Sequence, residues 1–276
     1  MKRKIILVLT AGCIIASFNL IGCSKNNNQT NKEATPMETV STVQEKPEEF
    51  IEKMYKGLID KKLTYENIWD DYMSDTTKNL GTITKESYLN STEARDFKNN
   101  IIYTDVKVLS SEQVKDNIFK VKSILKYTVN GKENTEDLIE YVIKENDKLK
   151  YLTDGAISVQ SKEDVTMENI SYKNIKAINY VDGIGISFDL VNQYENGIAL
   201  GWVDGSTITL KADKGEFSYT INPEKIQKGQ TQNVPVKFNN AEGTPQELVI
   251  NNVNYLNNRG LPKDQTGGQV QTIVIK

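Results

Sequence analysis

Between residues 50 and 59 the apolar positions fall at Phe50, Ile51, Met54, Tyr55, Leu58 and Ile59, which is the spacing of one helical face. Pro47 stands near the first turn, Glu48 and Glu49 suit the positive end of the helix dipole, and Lys61 and Lys62 suit its negative end. The spacing therefore predicts a helix. Thr64 reads as the cap of a second helix carrying Ile68, Trp69, Tyr72 and Met73, and Thr84 as the cap of a third with Tyr88 and Leu89. After Asn100 the period drops to two, through Ile102, Val106 and Val108, then Phe119, Val121, Leu125, Tyr127 and Val129, then Ile139, Tyr141 and Ile143, then Leu149 and Tyr151. Asn130-Gly131 is a strong hairpin signal and Asn146-Asp147 a second turn, so a four-stranded antiparallel meander preceded by helices is expected.

From Ile170 onward almost nothing has helical period. Ile184, Ile186, Phe188 and Leu190 alternate with smaller or polar residues, and further short apolar runs follow around Leu200 and Trp202, Ile208, Phe217, Val236, Val249 and Ile273. Turn signals separate them at Asp182-Gly183, Asp204-Gly205, Asp213-Lys214-Gly215 and Gly267-Gly268. Seven or so short strands at this spacing suggest a β-sandwich.

The amino terminus has a different character. Lys2, Arg3 and Lys4 precede an apolar run from Ile5 to Ile21, the pattern of a secretory signal. Leu20-Ile21-Gly22-Cys23 resembles the lipobox of bacterial lipoproteins. That resemblance implies a signal peptide over 1–22, diacylglyceryl transfer to the Cys23 sulfur and cleavage after Gly22. A palmitate-type anchor would then hold the chain on the extracytoplasmic face of a cell membrane. Two competing readings are a site at Thr10-Ala11-Gly12-Cys13, where Thr10 is a poor −3 residue, and a single spanning anchor, for which the run is short. Residues 23–47 are rich in Asn, Lys, Thr, Gln and Glu and poor in large apolar side chains, as expected of a disordered tether.

The stretch Phe50 to Met73, a helix ending in Tyr55-Lys56-Gly57-Leu58 followed by Tyr65-Glu66-Asn67-Ile68-Trp69, resembles the NTF2-like superfamily. The resemblance implies an α+β cone over 48–160, with helices packed on a curved antiparallel sheet around a pocket. The later strands resemble the immunoglobulin-like domains at the carboxyl end of many Gram-positive lipoproteins, implying an all-β immunoglobulin-like sandwich over 165–276, with Trp202 on its third strand and Phe188 on its second. Trp69, Asp71, Tyr72 and Asp75 are the candidate pocket residues. On a continuous helix Asp71 and Asp75 share a face, where they could hold a cation or act as acid and base; the plainer readings are a solvated helix end for the carboxylates and core packing for the rings.

Composition narrows the chemistry. The chain has 276 residues and no histidine, which excludes Ser-His-Asp and Cys-His nucleophile systems. Both cysteines, Cys13 and Cys23, lie in the targeting segment, leaving no thiol or disulfide beyond it. Without Lys2, Arg3 and Lys4 the chain carries 31 basic and 37 acidic residues, a mild acidity that argues against a nucleic-acid partner. The Asp-Gly turns lack the spacing of a calcium loop, and no metal or cofactor is expected. Ser123-Ile124-Leu125-Lys126 has the Ser-x-x-Lys form of penicillin-binding enzymes, but in a strand its two functional residues point to opposite sides. The expected function is a non-catalytic, membrane-anchored lipoprotein with a binding or assembly role at the cell envelope. Its partners are membrane lipid through Cys23 and an envelope protein or glycan. The alternatives are a solute-binding or sensing protein that uses the cone, and a carboxylate-based envelope hydrolase.

Overall fold

The structure is a computed structural model describing residues 45–264 and 267–275. The expected signal segment, the lipobox Leu20, Ile21 and Gly22, Cys23 and nearly all of the tether lie outside the described residues.

Helix α1 (Pro47–Ile59) begins at the proline, and the Glu49 carboxylate accepts the Lys46 backbone N–H at 3.3 Å. It buries Phe50, Ile51, Met54, Tyr55 and Leu58, the face set by its apolar spacing. Four short helices follow: α2 (Tyr65–Asn67), α3 (Asp75–Leu80), α4 (Lys85–Leu89) and α5 (Thr92–Asn99). Each is capped by a hydroxyl that accepts a backbone N–H of its first turn, from Thr64, Ser74, Thr84 and Ser91 respectively. Between α2 and α3 the chain makes a π-helical turn, Ile68–Tyr72.

Strands β1 (Ile101–Lys115), β2 (Ile118–Val129), β3 (Lys132–Glu145) and β4 (Lys148–Tyr151) form an antiparallel meander in that order. Both two-residue turns are left-handed, with φ of 52° and 77° at Asn130 and Gly131 and 48° and 63° at Asn146 and Asp147. That backbone matches the right-handed twist of the flanking strands. Helix α1 packs on β1 and β2, and its buried side chains meet Val106, Val121, Leu125 and Val142.

The rest is strand: β5 (Ala156–Ser161), β6 (Val165–Met167), β7 (Ile170–Tyr180), β8 (Gly183–Asn192), β9 (Ile198–Leu200), β10 (Thr207–Ala212), β11 (Gly215–Thr220), β12 (Glu224–Ile226), β13 (Thr231–Asn239), β14 (Pro245–Tyr255) and β15 (Gln269–Val274). A second sheet runs β13-β8-β7-β5, with β6 beside β7. A third runs β11-β10-β14-β9-β12, with β15 also on β14. Their facing residues share one core that includes Tyr172, Ile186, Phe188, Leu190, Leu248, Ile250 and Ile273.

This corrects the expected fold class. The described residues are 53% strand and 19% helix in three antiparallel sheets, not an α+β NTF2-like cone followed by a separate immunoglobulin-like domain. The helices after α1 are too short to make a helical layer, because each is stopped within a few residues by the next cap or turn. Nor does the chain break at 160–165, since β5 pairs with β7 from Ala156↔Tyr180 to Ser161↔Lys176. A further small core, Ile118, Tyr141, Ile143 and Leu152 with Ile157 and Val181, joins the back of the meander to the second sheet. Trp202 lies outside the strands, with 39% of its surface exposed, and the Lys225 ammonium sits 4.6 Å from its ring centroid.

Candidate functional site

The π-helical turn decides where the expected pocket residues go. Thr64 caps α2 through the Asn67 N–H, and the turn closes when Met73 N–H donates to the Ile68 carbonyl at 2.8 Å. Met73 then pairs with Tyr151 as an isolated bridge, and Ser74 N–H donates to the Tyr151 carbonyl at 2.9 Å. The chain is therefore extended at Met73 and Ser74, between the turn that holds Asp71 and the helix that Asp75 opens, and the two do not share a helical face. Asp71 is exposed, with its carbonyl accepting the Lys150 ammonium at 2.6 Å. Asp75 opens α3, and its backbone N–H and that of Thr76 both donate to the Glu145 carboxylate, at 2.8 and 3.0 Å. Trp69 is buried against Tyr88, centroids 5.6 Å apart, while Tyr72 leans on Phe50 at 5.6 Å. Only Asp71 and Tyr72 come together, on the wall of a surface cleft of about 350 Å³ shared with Phe50 and Lys150.

The interior of the meander holds a group that the apolar pattern did not single out. Glu140 lies opposite Val121 in the ladder and faces α1. Its Oε1 accepts the Tyr55 hydroxyl at 2.5 Å and its Oε2 accepts the Tyr151 hydroxyl at 2.7 Å. Burial pushes the Glu140 carboxyl above its ordinary value, while the two tyrosine bonds pull the other way without cancelling it. Burial likewise raises the hydroxyls of Tyr55 and Tyr151, with the nearby Glu140 charge adding to the effect. Around this centre runs a chain of rings, each within 6.2 Å of the next: Tyr55, Tyr103, Phe97, Tyr65, Tyr88 and Trp69. The Tyr65 and Tyr103 hydroxyls are bonded to each other at 2.9 Å.

Such a set has the residue types of acid–base chemistry, yet both carboxylate oxygens are occupied by tyrosine hydroxyls and the carboxylate is walled in by side chains. Its chemical capacity is to hold a proton and to tie α1 to β3 and β4. One sequence signal could have found it: Glu140 is the single charged residue within Leu138-Ile139-Glu140-Tyr141-Val142-Ile143. The strand carries two faces there. Leu138, Glu140 and Val142 face the helices, whereas Tyr141 and Ile143 bury against the second sheet and Ile139 is exposed.

Ser123 and Lys126 lie on opposite faces of β2, Ser123 buried and Lys126 exposed in an ion pair with Asp105 at 3.3 Å. Among the described residues no group of three or more Asp, Glu, His or Cys side chains is placed to hold a metal ion, and no helix is long and apolar enough to cross a membrane. Compared with known proteins, the chain matches no family model, and no curated protein is significantly similar to it.

Proposed function

We propose that the protein is a lipid-anchored extracytoplasmic component of the cell envelope that works by binding or assembly, without catalysing a reaction. The Leu20-Ile21-Gly22-Cys23 sequence behind a basic start and an apolar run supports the anchor at Cys23. The observation that carries the non-catalytic half is the arrangement at Glu140. The Glu140 carboxylate, enclosed by the meander, is satisfied by Tyr55 and Tyr151 and covered by packed rings, so it supports structure. Function then belongs to the surface, where sheets of this extent offer wide areas to an envelope protein or glycan.

Membrane fractionation of cells expressing the wild type and Cys23→Ser, with metabolic labelling by radioactive palmitate, tests the anchor. The wild type should carry label and sediment with membranes, and the variant should do neither. Retention of the unlabelled variant in the membrane fraction would establish a spanning anchor instead. Crosslinking on intact cells tests the assembly role, and the expected outcome is a defined adduct that disappears when Cys23→Ser releases the protein.

A further inference from the structure

At one end of the third sheet a polar cavity of about 390 Å³ is lined by Glu168, Tyr194, Asn254, Tyr255, Lys263 and Gln269, among others. Two residues of this wall each carry a buried side-chain atom without any hydrogen-bond partner, the hydroxyl of Tyr194 and Oδ1 of Asn254. Asn254 is only 2% exposed, and its other side-chain atom, Nδ2, is used in donating to the Asn252 carbonyl at 3.1 Å. Buried polar atoms of folded proteins are nearly always paired, so two orphans on one cavity mark a place where a partner is missing. The cavity is far larger than the roughly 30 Å³ of one water.

The surroundings are built rather than incidental. Tyr194 and Tyr255 meet edge to face with centroids 4.7 Å apart, and the Lys263 ammonium stands 4.8 Å from the Tyr194 ring centroid. The Tyr255 hydroxyl donates to Glu168 Oε2 at 3.0 Å, and the Lys263 backbone N–H donates to the Tyr255 carbonyl at 2.8 Å. Behind them Asn192, fully buried, accepts the Tyr194 backbone N–H at 2.9 Å and donates to the Ile226 carbonyl at 2.9 Å, which sets the position of Tyr194.

We infer that this cavity binds a neutral saccharide, of the hydroxyl- and acetamido-bearing kind found on envelope glycans. Asn254 Oδ1 can only accept and so needs an O–H or N–H. The Tyr194 hydroxyl needs a carbonyl or hydroxyl oxygen to receive its proton. A sugar carrying an acetamido group supplies all of these on one small scaffold. The wall holds one ammonium, from Lys263, and two carboxylates, from Glu168 and Asp264, which disfavours an anionic ligand, and the two tyrosines add apolar surface for a pyranose to pack against. The assignment rests on the binding role proposed above and gives it a ligand class.

The test is calorimetric titration of the full chain in detergent with N,N′-diacetylchitobiose, with the dipeptide alanylalanine in parallel, for the wild type and Tyr194→Phe. The expected result is saturable binding of the disaccharide, not of the dipeptide, weakened about tenfold by Tyr194→Phe. Because the hydroxyl has no partner in the free protein, the same substitution should leave the melting temperature unchanged or raised. Three results would overturn the assignment: no saturable binding of the disaccharide, binding of the dipeptide in its place, or disaccharide binding indifferent to Tyr194→Phe. None of these touches the palmitate label or the crosslinked adduct, so failure here is distinguishable from failure of the anchored binding role.

Discussion

The hydroxyl of Tyr55 and Oε1 of Glu140 lie 2.5 Å apart across 85 residues of chain, tying the first helix to the third strand of the meander. With Tyr151 on the other oxygen, the bond closes a three-residue unit linking α1, β3 and β4. Glu140→Ala strips two buried hydroxyls of their acceptor, and at about 1–3 kcal/mol for each stranded group it should destabilise by about 2–6 kcal/mol. Tyr55→Phe and Tyr151→Phe should each cost about 1–3 kcal/mol. Urea denaturation followed by circular dichroism checks the order. An Ala variant no weaker than the two Phe variants would show that the hydroxyls find other partners.

The same carboxyl makes stability depend on pH. Its value is raised in the folded state by burial, with the carboxylates of Asp154 and Glu136 adding repulsion. A carboxyl raised on folding contributes stability that is fully present below its unfolded value, about 4.3, and is lost as the pH climbs through the folded value. Asp154 is shifted up as well, chiefly by burial, although Lys237 opposes it, so it adds to the same trend. Glu140→Gln keeps an acceptor for one tyrosine and cannot ionise. Measured between pH 4 and pH 8, the gap between Gln variant and wild type should move in favour of the variant as the pH rises. A constant gap would mean that Glu140 does not titrate in that window.

Where the meander meets the second sheet, Gly155 has a left-handed φ of +69°, and a Cβ there would stand 2.8 Å from Tyr141 Cδ2. The Gly155 carbonyl accepts the Val181 N–H at 2.8 Å, and nearby the Lys237 ammonium pairs with Asp182 at 2.7 Å. Gly155→Ala therefore meets backbone strain and a displaced ring together, and should cost about 2 kcal/mol or more. Because Tyr141 belongs to the core that joins the sheets, calorimetry should show one transition in the wild type and that whole transition lowered in the variant. Loss of stability confined to one of two resolved transitions would show that the sheets unfold independently.

How far the chain could be read in advance depends on what each signal encodes. Helix α1 and the turns at Asn130-Gly131 and Asn146-Asp147 were legible because local spacing and left-handed backbone are decided by neighbouring residues. The architecture was not. Period-two alternation marks a strand without naming its partner, and nothing local to Ala156–Ser161 says that it pairs with β7 rather than closing a first domain. On β3 the alternation of Ile139, Tyr141 and Ile143 marks the strand and two of its buried residues, but layers on both sides bury residues there, so it does not reveal the second buried face of Leu138, Glu140 and Val142. Asp71 and Asp75 were placed on one face by assuming an uninterrupted helix, and the π-helical turn with the Met73 bridge breaks that assumption. The cavity wall at Tyr194 and Asn254 joins residues 60 positions apart in sequence, a proximity created by the fold alone.

Asn192 offers the most direct check on how that wall is held. Its side chain spends its oxygen on the Tyr194 N–H and its nitrogen on the Ile226 carbonyl, joining the end of β8 to β12 with no exposed surface. Asn192→Ala strands both backbone groups and should cost about 2–4 kcal/mol. Asn192→Asp keeps an acceptor for Tyr194 but places a carboxylate against the Ile226 carbonyl, so it too should destabilise. Its penalty should shrink as the pH falls far enough to protonate the new carboxyl, which can then donate to Ile226. Amide hydrogen exchange separates the two effects. The Tyr194 amide should lose protection in the Ala variant and keep most of it in the Asp variant at low pH, and equal loss in both would mean that Tyr194 is held by its ring contacts instead.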